Sequence, residues 1–236
     1  MPKKIILVLT LLFLGSCGSP QDYSQTYVIV MNREKAGKEI VNEKVERNGN
    51  RTVIAEQELD SGPSAKDKKK RIIKTRMVLP KGALFPLSLS FESSTGVSYD
   101  ITAADGKIIK TQNKQGEKQV TQESLETDMP VLNLAVFHTF DYWISKYDAS
   151  KGGRQTFPTY LLPSGQVLKT TVTPMSSTMS DHDSKQLKLK RYEIELGDEI
   201  VILLWVDQDS RLYRLFIQGP NVEVIRSDVF SKIEKK

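Results

Sequence analysis

Three residues near the middle of the chain have the side chains of a hydrolytic triad. His138, Asp141 and Ser145 supply an imidazole, a carboxylate and a hydroxyl, and their spacing places them on one face of a helix. A serine nucleophile also needs converging N–H groups around its substrate, and the N–H groups inside a helix are already bonded. We therefore interpret the three residues as a solvated polar helix face. The sequence predicts no enzyme, and a hydrolase is kept only as a minor alternative.

The sequence also contains no convincing motif for binding a metal or a phosphate group. Asp181, His182 and Asp183 could hold a cation, but they follow a run of serine, threonine and methionine that predicts a loop. Their spacing matches neither a zinc site nor an EF-hand. No glycine-rich phosphate loop and no nucleophile elbow is present. We expect no cofactor and no bound metal.

A basic run offers a different kind of site. Lys68, Lys69, Lys70 and Arg71 are consecutive and are candidates for contact with an anionic surface such as lipid headgroups. The alternative is a solvated loop that guards an edge strand, since lysines discourage pairing with another chain. The net charge of the chain is +5, and Lys3 and Lys4 in the N-terminal segment supply two of these charges. The rest of the chain therefore has a net charge of 5 − 2 = +3, which is too small to predict nucleic acid as a partner.

The triad segment also has a strong apolar period. From Pro130 to Asp148 the large apolar side chains recur at helical spacing, which predicts one amphipathic helix over 130–148. Phe140, Trp143 and Tyr147 lie on its apolar stripe. Because that stripe is rich in aromatic residues, we expect it to pack on a sheet and cover a central strand, which also contains Trp205. These four aromatic residues are the candidate core face or apolar ligand face.

The rest of the chain alternates with the two-residue period of β-strands. Short apolar-alternating runs are separated by turn signals such as Asn48-Gly49 and Thr95-Gly96, a pattern typical of antiparallel sheets. Residues 199–207 are apolar almost without a break, so we expect this strand in the middle of the sheet with both faces covered. A change of phase near Lys190-Arg191 predicts a β-bulge. The predicted fold is mainly β: one curved antiparallel sheet or half-barrel, with one amphipathic helix on it.

The N-terminus has the pattern of an export signal. Lys3 and Lys4 precede an apolar run over 5–14, which is too short to span a bilayer. The run ends in Leu14-Gly15-Ser16-Cys17, which resembles the bacterial lipobox. The resemblance implies cleavage after Ser16, diacylation of Cys17 with fatty acid such as palmitate, and anchoring in a membrane. Gly18 is not the aspartate that retains enteric lipoproteins at the inner membrane, so the outer membrane, facing the periplasm, is favoured.

The remaining chain divides simply. Residues 1–16 form the signal peptide, residues 17–26 are small and polar and predict a tether, and residues 27–236 form one domain. Cys17 is the one cysteine, so the domain can form no internal disulfide. The hydrophobic content of 39% is sufficient for a core. We expect a monomer.

The order of motifs in this domain has a family resemblance. Tyr27-Val28-Ile29-Val30, Ala36-Gly37-Lys38, the Phe137-His138 to Tyr147-Asp148 segment and Gly152-Gly153-Arg154 resemble domain-of-unknown-function periplasmic proteins built on one curved antiparallel sheet. These are similar in outline to the lipoprotein-carrier half-barrels of the Lol type. The resemblance implies a curved sheet with a helix plugging its concave side and, in carriers, an apolar cavity for acyl chains.

Two main functions follow as expectations. In the first, the anchored protein shelters an apolar or acylated ligand, a lipid or an acylated protein, between helix and sheet. In the second, it is a non-enzymatic envelope scaffold or assembly accessory with a solid core, working through loops or an edge strand. A cavity between helix and sheet distinguishes the two.

Overall fold

The computed structural model describes residues 22–61, 69–114, 116–124, 129–182 and 185–233. Their secondary structure is almost all β. The strands are β1 (Tyr23–Met31), β2 (Glu34–Val45), β3 (Arg51–Ser61), β4 (Lys69–Leu79), β5 (Ser88–Ser93), β6 (Val97–Ala104), β7 (Lys107–Lys114), β8 (Glu117–Ser124), β9 (Val131–Asn133), β10 (Gln155–Leu162), β11 (Gln166–His182), β12 (Lys185–Leu196), β13 (Ile200–Val206), β14 (Leu212–Ile217) and β15 (Val222–Arg226). The helices are α1 (Thr139–Trp143), a 3₁₀ turn (Ile144–Lys146) and α2 (Ser227–Ile233).

All fifteen strands form one sheet. Its order runs from β8 back through β7, β6, β5, β4, β3 and β2 to β1, then continues through β15, β14, β13, β12, β11 and β10 to β9. Neighbouring strands are antiparallel except β9 and β10, which are parallel. The prediction of a mainly β fold with one large, curved, antiparallel sheet is confirmed.

Side chains that bridge strands distant in the sheet order show how far the sheet curls. The Asn133 amide in β9 donates to the Tyr99 hydroxyl in β6 at 2.7 Å. Lys110 in β7 donates to the carbonyl of Pro163, just after β10, at 2.8 Å, and Tyr160 in β10 donates to the Glu123 carboxylate in β8 at 3.3 Å. The two ends of the sheet therefore meet along a seam that side chains, rather than strand pairing, hold together.

Alternation along each strand separates an inner from an outer face. In β4, Ile73 and Met77 are buried inside while Lys74 and Arg76 are exposed outside. The predicted hairpin of β5 and β6 follows the same rule, because paired Phe91 and Tyr99 are both buried and their rings stack at 4.7 Å. In these strands the two-residue alternation of the sequence thus predicts which face of the sheet each side chain occupies.

Residues 129–148, here called the plug, run through the interior of the curled sheet. The predicted helix over 130–148 is too long: it is α-helical only from Thr139 to Trp143, and its first residues form β9. Local hydrogen bonds explain the difference. Asn133 accepts the N–H of Ala135 on its side chain at 2.9 Å and that of Val136 on its carbonyl at 3.1 Å, which closes a turn where the helix was expected.

Trp143 of the plug packs on a different strand from the one predicted. Trp143 is 1% exposed, its ring lies 5.5 Å from that of Phe157 in β10, and its Nε1 donates to Thr159 Oγ1 at 3.0 Å. The expected contact partner was β13. That strand does lie inside the sheet, between β12 and β14, and it turns Ile202 and Leu204 into the core.

The expectation that both faces of β13 are covered and that Trp205 is buried is wrong. Trp205 is on the outer face, half-buried, with its ring 5.5 Å from the guanidinium of Arg191 and 5.1 Å from that of Arg214. Helix α2 contacts β1 and β15. The two arginines therefore cover the indole where a helix was expected, through cation–π contacts.

Two further boundaries differ from expectation. β1 begins at Tyr23, inside the predicted tether, because the Tyr23 ring packs under the Arg211 guanidinium at 4.3 Å. The irregularity predicted near Lys190-Arg191 is present, but its extra residue belongs to the neighbouring strand: the pairing steps from Met175 opposite Arg191 to Thr178 opposite Leu189. Two residues of β11 thus lie against one of β12.

Candidate functional site

The polar centre of the interior is a single carboxylate. Glu39 in β2 is 0% exposed. It accepts the N–H groups of Phe137 and His138 at 2.9 and 3.0 Å, the His138 ring Nδ1 at 2.7 Å, and the Gln57 amide at 3.1 Å. These donors fix the start of α1 to the sheet, so Glu39 acts as the cap that the helix lacks in its own sequence.

The electrostatics of this carboxylate follow from those bonds. Burial alone would raise the pKa of Glu39, but the hydrogen bond and charge of His138 together with the two backbone N–H groups lower it below the usual range. Glu39 is therefore held as a buried anion. An anion so completely bonded within the protein has no free lone pair to offer a substrate.

A second polar cluster lies nearer one open end of the curled sheet. Glu43 lies four residues after Glu39 on the same inner face of β2. It accepts hydrogen bonds from both terminal nitrogens of Arg211, at 2.7 and 3.1 Å, and from the hydroxyl of Tyr142. Burial opposes ionisation here too, but Arg211 and Tyr142 keep the pKa of Glu43 below its usual value. This bidentate pair ties β2 to the start of β14 and to α1.

Asp141 is the less completely bonded member of this cluster. Its Oδ1 accepts the N–H of Leu212 at 2.6 Å, and its Oδ2 lies 3.7 Å from Arg211 without a hydrogen-bond partner among the described residues. Burial raises the pKa of Asp141 to about 7 against the opposing charge of Arg211. This carboxyl is therefore shared between its neutral and charged forms at neutral pH.

The structure does not assemble His138, Asp141 and Ser145 into a triad, and the solvated face predicted for them is wrong for two of the three. His138 is 1% exposed and bonded to Glu39, and Asp141 is 7% exposed and bonded to Leu212. Ser145 is exposed, and its hydroxyl donates to the carbonyl of Tyr142. The polar side of α1 faces inward because the sheet supplies it with polar partners.

The aromatic residues proposed as a core or ligand face are split between the two faces of the sheet. Phe140, Trp143 and Tyr147 belong to the core, whereas Trp205 lies outside it. Because the plug packs its aromatic stripe directly on the sheet, the space between helix and sheet is filled by the protein's own side chains.

Apolar space remains at the other open end of the curled sheet. The mouth cleft, as we call it, has a volume of about 280 Å³. Its apolar walls include Met31, Leu59, Ile73, Leu134, Phe137 and Ile200. Its polar groups are Gln57, whose Oε1 is buried without a partner in the described part of the chain, and Arg71, which donates to Ser93 at 3.3 Å.

The basic run is therefore divided in a way the sequence did not suggest. Lys68 lies outside the described residues. Lys70 projects from the outer face and pairs with Glu58 at 3.3 Å, and Lys69 is exposed at the start of β4. Arg71 follows the inward phase and reaches the mouth cleft. The alternative of an edge-strand guard is wrong, because β4 has neighbours on both sides.

The predicted loop before Asp181 is wrong, because that run belongs to β11, which continues to His182. Cys17 lies outside the described residues, as do Asp183 and the side chains of Asp181 and His182. Within the described ranges, no group of His, Cys, Asp and Glu side chains has the arrangement of a metal site. The same ranges contain no helix that is long and apolar enough to cross a membrane.

The sequence reading missed Glu39 and Glu43. In β2 neither phase is clearly apolar, because Lys38 and Lys44 share one phase with Ile40 while Glu39 and Glu43 share the other with Val41, so the alternation does not place the two carboxylates. The signal lay in the paired strand: β3 has an unambiguous inward phase at Val53 and Ala55, and these residues pair with Glu43 and Val41. Residues that lie opposite each other in paired strands point to the same face of the sheet, so the inward face of β3 identifies the inward face of β2.

Comparison with known proteins shows the fold alone. No family model matches the chain, and no curated protein matches it. Among solved structures it is similar to a β-barrel-like protein of the domain of unknown function DUF1849 from Brucella abortus, with a TM-score of 0.55 and 11% identity over 88% of this chain and 94% of that one. The chain shares this β-barrel-like fold. That similarity agrees with the expected resemblance to sheet-rich domains of unknown function.

Proposed function

We propose that the protein is a lipid-anchored envelope protein that binds the end of an acyl chain in its mouth cleft. The observation that supports this most directly is the composition of the cleft: apolar walls from six strands and the plug, with one cation, Arg71, among them. An apolar pocket with a few placed polar groups is the usual form of a ligand site. A fatty-acid carboxylate would meet Arg71 while its chain lies against Leu134 and Ile200.

The size of the cleft sets the form of the ligand. Its volume of about 280 Å³ is slightly below the roughly 300–1,000 Å³ of common small-molecule sites. The cleft therefore fits part of one chain and leaves the rest of a lipid outside. The ligand of this proposal is the acyl end of a lipid or of an acylated protein, bound at the open end of the sheet rather than beneath the plug.

A charge placed in the cleft tests the site. Leu134→Glu should weaken palmitate binding at least tenfold, because burying a carboxylate beside an acyl chain is costly. The matched control is Ile54→Glu, the same charge on the outer face, where Ile54 is 51% exposed. Binding is measured by displacement of a fluorescent fatty acid from the full chain. Equal affinities in the two variants would contradict the cleft as the site.

The role of Arg71 is separable from the apolar contacts. Arg71→Gln should weaken palmitate binding while leaving the affinity for hexadecanol, which has no charge, within about twofold of wild type. If both ligands lose affinity equally, the guanidinium does not contact the carboxylate and the arrangement proposed for the headgroup is wrong.

The anchor is tested independently. Cys17→Ala should abolish incorporation of labelled palmitate into the chain in cells, because the thiol is the acyl acceptor and the chain has no second cysteine. Labelling of the variant at the wild-type level would contradict anchoring at this residue.

A further inference from the structure

Strand β1 joins the two open ends of the curled sheet. Tyr23, at its start, pairs with Glu43 in β2 and lies under the Arg211 guanidinium at 4.3 Å. Met31, at its finish, lines the mouth cleft. We call the end that contains Tyr23 the anchor end. The chain before Tyr23 therefore enters the domain at the end opposite the mouth cleft.

The length of chain between Cys17 and the domain limits how the domain can lie on a membrane. The five steps from Cys17 to Asp22 span at most about 18 Å even when fully extended. The eight steps of β1 from Tyr23 to Met31 cover about 26 Å, or about 20 Å along the sheet axis at a strand tilt of roughly 40°. A lipid on Cys17 would thus keep the anchor end near the bilayer, because turning the domain over requires a longer segment.

The side chains around the anchor end suit a headgroup layer rather than hydrocarbon. Lys44, Arg47 and Lys81 are exposed there, beside the exposed acids Asp22 and Glu46. Charged side chains are costly in the hydrocarbon of a bilayer, whereas lysine and arginine at its surface are attracted to anionic headgroups. This rim can therefore lie against the headgroups without entering the membrane.

We propose that the anchor end lies against the lipid headgroups and that the mouth cleft faces away from them, so that its acyl ligand comes from a molecule on the aqueous side rather than from the anchoring bilayer. This inference rests on the proposed function, because it requires both the lipid on Cys17 and a ligand in the cleft. The interior near the anchor end is occupied by the polar cluster of Glu43, Arg211 and Tyr142. A chain of the anchoring bilayer would therefore meet charged groups there and not the apolar cleft.

Quenching of a fluorophore at single sites tests the orientation. In the lipidated chain the Cys17 sulfur carries the lipid, so a cysteine introduced elsewhere is the sole free thiol. Asn48→Cys labels the anchor end, in the turn between β2 and β3, and the matched Gln218→Cys labels the rim of the mouth; both residues are exposed. In vesicles of phosphatidylethanolamine and phosphatidylglycerol with nitroxide-labelled headgroups, the fluorophore at residue 48 should be quenched at least threefold more than that at residue 218.

Flotation of the same vesicles distinguishes the ways in which this can fail. A chain that does not float with the vesicles has no anchor, which overturns the proposed function and the orientation together. A chain that floats but is quenched equally at the two sites, or more strongly at residue 218, overturns the orientation alone.

The source of the ligand is tested with a palmitoylated, fluorescent, water-soluble peptide. Because the mouth faces water, the peptide should bind the anchored chain within twofold of its affinity for the unanchored Cys17→Ala chain, and Leu134→Glu should weaken both. Binding to the anchored chain that is at least tenfold weaker would mean that the membrane covers the mouth, which overturns this inference. Absence of binding to the Cys17→Ala chain would instead overturn the ligand of the proposed function.

Discussion

The two tryptophans of the chain lie on opposite faces of one sheet and are stabilised in opposite ways. Trp143, inside, contacts Phe140 and Phe157 and donates its N–H to Thr159. Trp205, outside, is held between Arg191 and Arg214. Aromatic packing and a satisfied donor replace water on the inner face, whereas cations cover the ring on the outer face. The same residue type is core in one place and surface in the other.

Two glutamates repeat the contrast. Glu39 faces the interior and is surrounded by donors from the plug, so its charge is compensated without water. Glu58, on the outer face of neighbouring β3, pairs with Lys70 and Lys38 at 3.3 and 3.8 Å, and its side chain is 30% exposed. A buried charge is stabilised only where several hydrogen-bond donors converge on it, whereas an exposed ion pair contributes little to stability. The face of the sheet, rather than the residue type, sets the energetic role.

The largest difference between the faces is expected for the tryptophans. Trp143→Ala should lower the free energy of unfolding by about 3–5 kcal/mol, because it leaves a large cavity in a packed core. Trp205→Ala removes two cation–π contacts on the outer face and should cost about 1–2 kcal/mol. Urea unfolding of both variants measures the difference. Equal losses would show that the outer indole is part of the core.

The glutamates should follow with a smaller effect. Glu39→Gln keeps the shape but sets an amide N–H₂ against the donors of Phe137 and His138, at a cost of about 3 kcal/mol. The matched Glu58→Gln on the outer face should change stability by less than about 1 kcal/mol. Thermal unfolding at neutral pH compares them. A loss in Glu39→Gln as small as that in Glu58→Gln would mean that the plug is not fixed by this carboxylate.

The sequence predicts the faces wherever a strand's alternation is unambiguous. β4, β5 and β6 repeat an apolar inner phase, and both the sheet and its hairpins follow from it. The same reasoning fails for β2, because the buried carboxylates of Glu39 and Glu43 leave its inner phase no more apolar than its outer one. It fails for the plug, because helical periodicity cannot show that Asn133 closes a turn. It fails for Trp205, because arginines on two neighbouring strands are distant in sequence and meet only through register.

Asp141 is the interior carboxylate whose charge is least compensated by hydrogen-bond donors, and the pH dependence of stability should show this. Burial raises its pKa from 3.8 to about 7, so the folded state binds this proton more tightly than the unfolded chain does. The stabilisation is complete below the unfolded value and decreases as pH rises through about 7. Between pH 6 and pH 8 the loss should be about 1 kcal/mol.

Asp141→Asn tests this with the smallest of the expected effects. An amide still accepts the hydrogen bond from the Leu212 N–H and does not ionise. Between pH 6 and pH 8 the free energy of unfolding of the variant should therefore decline less than that of wild type. Other titrating groups are shared by the two proteins, and the difference between the two profiles isolates Asp141. Parallel profiles would mean that Arg211 keeps the carboxylate charged throughout, which would make Asp141 as well compensated as Glu39 and remove the contrast within the inner face.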